Sequence, residues 1–172
     1  MSLTSQPSVQ VFPLFIEKIR EGTYFPLPFT LPENVETLTI RYSYERYTPA
    51  TLQVEGGTYQ SQTKVNTIDL GLIAPDGTQV GASGSDKREF TVSAVKATPG
   101  YKPNALQAGR WEIIVGAYKI APDGVQVTYE IETTFKQRRL LKGDLHMHTV
   151  ASDGVQTAEE LAVRAKRHGL DF

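Results

Sequence analysis

The chain has 172 residues, of which 40% are hydrophobic and 22% are charged, and this composition is typical of a soluble globular protein. Its formal net charge of −1 provides no basic surface for nucleic acid or for anionic lipid. The sequence has no cysteine, which excludes disulfides and thiolate ligands, so any bound metal ion must be held by His, Asp or Glu.

Residues 1–20 lack the basic start, the long apolar run and the small-residue cleavage site of a signal peptide. No segment approaches the roughly 20 apolar residues that span a bilayer. We therefore expect a protein that is cytoplasmic by default and does not bind a membrane, with secretion left open.

Residues 1–137 are predicted to form an antiparallel β-sandwich of about 7–9 strands. Apolar and polar residues alternate in ETLTIRYSYERY, TIDLGLIA and VQVTYEIETTF, as in strands with one face exposed to water. The segment WEIIVGAYKI is apolar on both faces and predicts a central strand, with Trp111 in the core. The segment YFPLPFTLP contains prolines, which cannot donate to a ladder, and is predicted to lie at an edge or outside the sheet.

Several turns and loops are predicted between these strands. Ala-Pro-Asp-Gly occurs at 74–77 and again at 121–124, and each copy has the residues of a hairpin turn. The sequence GASGS at 81–85 predicts a flexible loop. The Pro/Gly-containing segment 98–109 either offers a docking surface or crosses between sheets with Tyr101 packed on its own domain, and we favour the crossover.

The pattern changes at residues 138–172, which predict the start of a second domain. Leu140–Leu145 has the pattern of a short strand. Thr157 and Glu160 form a T-x-x-E capping box that opens a helix, and Gly169 can close that helix in a left-handed conformation. A strand, a loop and a helix make half of a βαβ unit, so we expect this second domain to be incomplete in the sequence.

The end of this strand and the loop after it contain a dense group of metal-ligand side chains in GDLHMHTVASDG. On a strand, Asp144, His146 and His148 share one face, and Asp153 can fold back toward them. Two histidines in a His-x-His pattern are more often surface residues than ligands, but the surrounding Asp-Leu and Thr-x-x-Ser-Asp-Gly reverse that preference. The third histidine, His168, lies near the predicted helix end, where we assign it a structural or surface role.

DLHMHTVASDG followed by TAEELAVRAKRHGLDF resembles the first motif and first helix of the PHP (polymerase and histidinol phosphatase) superfamily of metal-dependent hydrolases. The resemblance implies a (β/α)7 barrel that holds divalent zinc, manganese or iron ions and hydrolyses phosphoesters with metal-activated water. It implies that His146, His148 and Asp153 are metal ligands and that Asp144 orients a ligating histidine. The segments IDLGLIAPDG, GASGS, KATPGY and AGRWEIIVGAY resemble the N-terminal β-domain of the carbaryl-hydrolase-like group of these enzymes.

These observations predict the N-terminal part of a PHP-type hydrolase that acts on a small-molecule ester or phosphoester. Three candidate ligands are fewer than a multinuclear site needs, so we expect the 172-residue chain itself to be inactive and to bind metal weakly. The alternative is a β-sandwich binding module that recognises carbohydrate or protein. The apolar segment with Leu140, Leu141 and Leu145 also predicts a homodimer or a tail swap.

Overall fold

The computed structural model describes residues 7–54, 57–137 and 141–171. This part of the chain is mostly β, in antiparallel sheets, and contains a single α-helix. The chain divides into two compact units, Met1–Lys136 and Gln137–Phe172. Within the described residues, no helix combines the length and the apolar character needed to cross a membrane.

The described residues of the first unit contain ten strands. They are β1 Ser8–Ile16, β2 Thr23–Leu31, β3 Val35–Tyr44, β4 Tyr47–Val54, β5 Gly57–Lys64, β6 Thr67–Ile73, β7 Gln79–Ser83, β8 Glu89–Ser93, β9 Gly109–Lys119 and β10 Val125–Phe135. One four-stranded sheet has the order β1-β10-β3-β8 and the other has the order β2-β9-β6-β7, while β4 and β5 form a separate two-stranded ribbon. The ribbon was not predicted, because its sequences YTPATLQV and GTYQSQTK lack a regular apolar alternation.

The alternation read from the sequence places the core. In β10 the odd-numbered residues from 125 to 133 are buried, and in β3 and β6 the apolar alternate residues are buried in the same way. Residues of both four-stranded sheets form one continuous buried cluster. The Tyr42 hydroxyl of β3 donates to the carbonyl oxygen of Ile68 in β6 at 2.8 Å, so a hydrogen bond joins the two sheets.

The predicted positions of β9 and β2 in their sheet are confirmed. β9 lies between β2 and β6, and Trp111 at its start is fully buried, as predicted for a core residue. β2 is an edge strand, and its Pro26 and Pro28 are paired in register with Ile114 and Glu112 of β9. An edge position suits proline because only one side of the strand needs ladder donors.

The two Ala-Pro-Asp-Gly turns connect different kinds of neighbours. In both, the glycine N–H donates to the alanine carbonyl oxygen at 2.9 Å, and Gly77 and Gly124 have φ values of +83° and +82°. The first turn joins the paired strands β6 and β7 and is the predicted hairpin. The second joins β9 to β10, which lie in different sheets, so the prediction of a hairpin at 121–124 is wrong. The same turn residues occur in a connection between sheets because the turn determines only how the chain reverses locally, and not with which strand the next strand pairs.

The predicted loop at 81–85 is wrong for its first three residues, which belong to β7. Gly81 forms a bridge with Tyr101 from the long 98–109 segment, and a Cβ at Gly81 would lie 2.6 Å from the Tyr101 Cα. Glycine is needed there for close approach of two backbones rather than for flexibility. Tyr101 is buried, stacks on Phe90 with ring centroids 3.9 Å apart, and donates to the Leu70 carbonyl oxygen at 3.0 Å. The segment is therefore the predicted crossover, with Tyr101 packed on its own domain.

The second unit contains the helix α1, Ala158–Arg167. Thr157 is the N-cap, and both halves of the predicted capping box with Glu160 are present. Gly169 has a φ of +71° and ends the helix in the left-handed conformation that the sequence predicts. No residue of α1 is buried.

The predicted strand over Leu140–Leu145 is wrong for the described residues 141–145, which form no strand; Leu140 lies outside the described residues. A strand requires a ladder of hydrogen bonds to a neighbouring strand, and in the described residues this segment is paired in no such ladder. The Asp171 N–H donates to the Lys142 carbonyl oxygen at 2.6 Å, and the Lys142 N–H donates to the Asp171 carboxylate at 3.0 Å. Leu145 is 90% exposed, and the dimer or tail swap that this segment predicts stays a prediction.

Candidate metal centre

The two histidines of the predicted motif lie side by side. The Nε2 atoms of His146 and His148 are 2.8 Å apart, and the ring centroids are 4.8 Å apart with an interplanar angle of 44°. His146 and His148 are two residues apart in the chain, and their rings lie against each other. The structure therefore brings together two imidazole nitrogens, which are common ligands of zinc and iron.

Asp153 contacts the other nitrogen of one of these rings. Its carboxylate forms a very short hydrogen bond with Nδ1 of His148. With the proton of His148 on Nδ1, the ring donates to this carboxylate and its Nε2 is left as an acceptor directed at His146. In this arrangement Asp153 sets the tautomer of His148, as carboxylates do for many metal-bound histidines.

The loop that returns Asp153 to His148 is organised around Thr149. Its carbonyl oxygen accepts from Ser152 N–H at 2.9 Å and from Gly154 N–H at 3.0 Å, and its hydroxyl accepts from Ala151 N–H at 3.2 Å. The Val150 N–H donates to the carbonyl oxygen of Gln156 at 2.9 Å, which closes the loop just before α1. Threonine in Thr-x-x-Ser-Asp-Gly thus holds a compact turn that reverses the chain toward the histidine pair.

Gly154 makes that reversal sterically possible. A Cβ at Gly154 would lie 2.7 Å from the Thr149 nitrogen and closer still to the carbonyl group of His148. Real Cβ atoms essentially never come within 3.0 Å of such atoms. The sequence reading did not identify Gly154 as a site residue, and its position directly after Asp153 was the available signal.

Asp144 contacts the main chain of the motif. Its carboxylate accepts from the His146 N–H at 3.0 Å. This hydrogen bond fixes the backbone at His146. The carboxylate that contacts a histidine ring is that of Asp153, at His148. His168 lies at the C-cap of α1, at the opposite end of the helix from the loop.

The described ligands do not enclose an ion by themselves. Among the residues that the structure describes, no group of three or more His, Asp or Glu side chains is arranged to hold a metal ion. Two imidazole nitrogens converge, and the third candidate is bonded to the far side of one ring. The site is also open to water, since the side chains of His148 and Asp153 are 47% and 82% exposed. The donor set fits one side of a divalent-metal site, and further ligands are needed to close it.

Neither a protein-family model nor a curated protein sequence matches this chain.

Proposed function

We propose that residues 138–172 carry the first metal-binding motif of a PHP-type metal-dependent hydrolase, a phosphoesterase that acts on a small-molecule substrate. The observation that carries the proposal is the convergence of the His146 and His148 Nε2 atoms, at 2.8 Å, beside a carboxylate on the Nδ1 of His148. An isolated surface His-x-His pair has no need for a loop folded back to orient one ring. The resemblance of DLHMHTVASDG to the first PHP motif supports the same assignment.

In this proposal each side chain has a distinct task. His146 and His148 would hold a zinc, manganese or iron ion through Nε2, and Asp153 would keep the proton of His148 on Nδ1. Asp144 would position His146 through its main chain, and in a complete site the Asp153 carboxylate would also be a metal ligand. When bound, a divalent ion supplies activation of water and neutralisation of charge on the leaving oxygen.

The described residues provide fewer ligands than hydrolysis requires. A catalytic zinc site uses about three protein ligands and an open position, whereas two nitrogens converge here. We therefore propose that the remaining ligands come from further parts of a complete hydrolase domain. The 172-residue chain alone is expected to bind metal weakly and to leave p-nitrophenyl phosphate unhydrolysed.

The test uses the fact that the chain has three histidines. The chain is titrated with ZnCl₂ while the NMR signals of the imidazole rings are recorded. The signals of His146 and His148 are expected to shift together. His146→Ala and His148→Ala are each expected to abolish the response of the remaining partner. His168→Ala is the matched control, since it removes a histidine of the same unit from outside the pair, and it should leave the response unchanged.

Three results would contradict the proposal. The His168 signal could respond as strongly as the other two, zinc could cause no shift in the pair, or His148→Ala could leave the response of His146 intact. Tight stoichiometric metal in the purified chain would contradict the expected weak binding. In a protein containing a complete domain, His146→Ala and His148→Ala should each reduce both metal content and phosphoesterase activity.

A further inference from the structure

The outer face of the β2-β9-β6-β7 sheet contains a hollow at a place where strands normally carry side chains. Gly71 in β6 and Gly116 in β9 are strand residues whose neighbours on the chain point into the core. Glycine inside a strand weakens the strand and often marks a place where another group approaches closely. The hollow has a volume of about 350 Å³, which is within the usual range for a ligand site, and its lining includes Tyr24, Asp69 and Ala82.

An aromatic ring and a carboxylate meet over one of these glycines. Tyr24, Gly116 and Asp69 lie in one cross-strand row, since Gly116 is in register with both of the other residues. A Cβ at Gly116 would lie 2.6 Å from Cε1 of Tyr24 and 3.0 Å from Cβ of Asp69. The missing side chain therefore lets the ring and the acid come together, and Tyr24 remains 66% exposed.

The charge in the hollow has one sign. Asp69 is the charged residue among those lining it, and its half-buried carboxylate has no hydrogen bond or ion pair with any described residue. The nearby Asp86 differs, because its carboxylate is paired with Lys87 at 3.8 Å. The Lys64 ammonium group donates a hydrogen bond to the Ser85 hydroxyl, at 3.5 Å. An unpaired acid beside an exposed aromatic ring complements a cation, and it disfavours a phosphate or another anion.

We propose that this hollow binds the guanidinium group of an arginine side chain presented by a partner protein. The guanidinium is planar, so it can stack on the Tyr24 ring while its N–H groups donate to the Asp69 carboxylate. Ser83 and Gln79, which also line the hollow, offer further oxygen acceptors. The hollow is open to solvent and has room for one side chain, so the peptide backbone of the partner would remain outside it.

The test compares two blocked peptides, Gly-Gly-Arg-Gly-Gly and the same peptide with citrulline in place of arginine. Citrulline has the shape of arginine but is neutral. The arginine peptide is expected to shift the backbone NMR signals of Gly71, Ala82 and Gly84 saturably and to bind roughly fivefold more tightly than the citrulline peptide. Asp69→Asn should sharply reduce that preference, leaving the part that comes from Tyr24, and Tyr24→Ala should weaken the arginine peptide by at least about threefold.

Asp86→Asn is the matched control, because it removes a neighbouring carboxylate that already has a partner, and it should leave the preference for arginine intact. Backbone NMR spectra of each variant report whether the sandwich remains folded. The proposal is overturned if citrulline binds as well as arginine, if Asp69→Asn leaves the preference unchanged, or if no saturable shift occurs. It is also overturned if a neutral disaccharide such as maltose shifts the same signals more strongly than the arginine peptide.

Discussion

Replacement of Gly154 by alanine should separate the role of the loop from the role of the histidines. A Cβ at this position would lie 2.7 Å or less from the backbone of His148 and Thr149, whereas ordinary contacts begin at 3.4 Å. Because the obstacle is backbone and not a flexible side chain, the two segments must move apart by about 1 Å. Such a movement is enough to break the hydrogen bond between Asp153 and Nδ1 of His148.

The energetic cost of this change is small, but its effect on the histidine is specific. The pair between Asp153 and His148 is exposed, so its loss should cost about 0.2–1 kcal/mol of local stability. Loss of a carboxylate that orients a metal-bound histidine commonly lowers metal affinity by about 10–100-fold. For this open site we expect the lower end, about tenfold weaker zinc binding.

The assay is the ¹⁵N spectrum of the imidazole rings, which reports the tautomer, together with a zinc titration. In the original chain, His148 should carry its proton on Nδ1, and in Gly154→Ala that preference should disappear. Gly169→Ala is the control in the same unit, since it strains a residue with positive φ but meets no atom within 4 Å. If Gly154→Ala keeps the His148 tautomer and the zinc affinity, then the loop does not position Asp153.

Two further predictions concern the buried tyrosines of the sandwich. Tyr129 is fully buried, and its hydroxyl has no hydrogen-bond partner among the described residues, so Tyr129→Phe should leave the free energy of unfolding unchanged or raise it by about 1 kcal/mol. Tyr101→Phe removes a hydrogen bond to the Leu70 carbonyl oxygen and should lower the free energy of unfolding by about 1 kcal/mol. Urea unfolding of both variants measures this, and a loss of 1 kcal/mol or more in Tyr129→Phe would show that its hydroxyl has a partner. Burial raises the pKa of Tyr101 to about 12, above an unfolded value near 10, so the unfolded chain loses its proton first and stability should fall as the pH rises from about 10 to 12. Unfolding measured across that range should show a shallower fall in Tyr101→Phe, and an equal slope in both proteins would refute this assignment.

The sandwich could be predicted largely from local patterns. Alternation placed β3, β6 and β10 because burial of one face imposes a period of two on the sequence, and apolar residues on both faces placed β9 at the centre of its sheet. The β4–β5 ribbon was missed because its strands lack a regular apolar alternation, and β7 was missed because GASGS looks like a loop. In that segment the structural reason for Gly81 is the backbone of Tyr101, which lies 20 residues further along the chain.

The second unit shows the same division between local and distant information. The capping box and the left-handed Gly169 involve residues close together in the sequence, and both were predicted correctly. The strand before the histidines was predicted from the same kind of pattern and does not form in the described residues, because a ladder needs a neighbour that alternation cannot supply. The spacing of His146, His148 and Asp153 indicated a shared site. That spacing did not predict which nitrogen of the His148 ring contacts Asp153 and which contacts His146.

By itself, the sequence determined which residues face inward along most strands, where two turns and one helix begin, and which side chains are candidates for metal. Each of these depends on chemistry within a few residues. The tertiary structure alone decided that the second Ala-Pro-Asp-Gly turn crosses between sheets, that Asp153 contacts Nδ1 of His148, and that Tyr24 and Asp69 meet over Gly116. Those outcomes depend on strand order, register and the reversal of a loop, which are set by packing between segments whose relative positions no local pattern specifies.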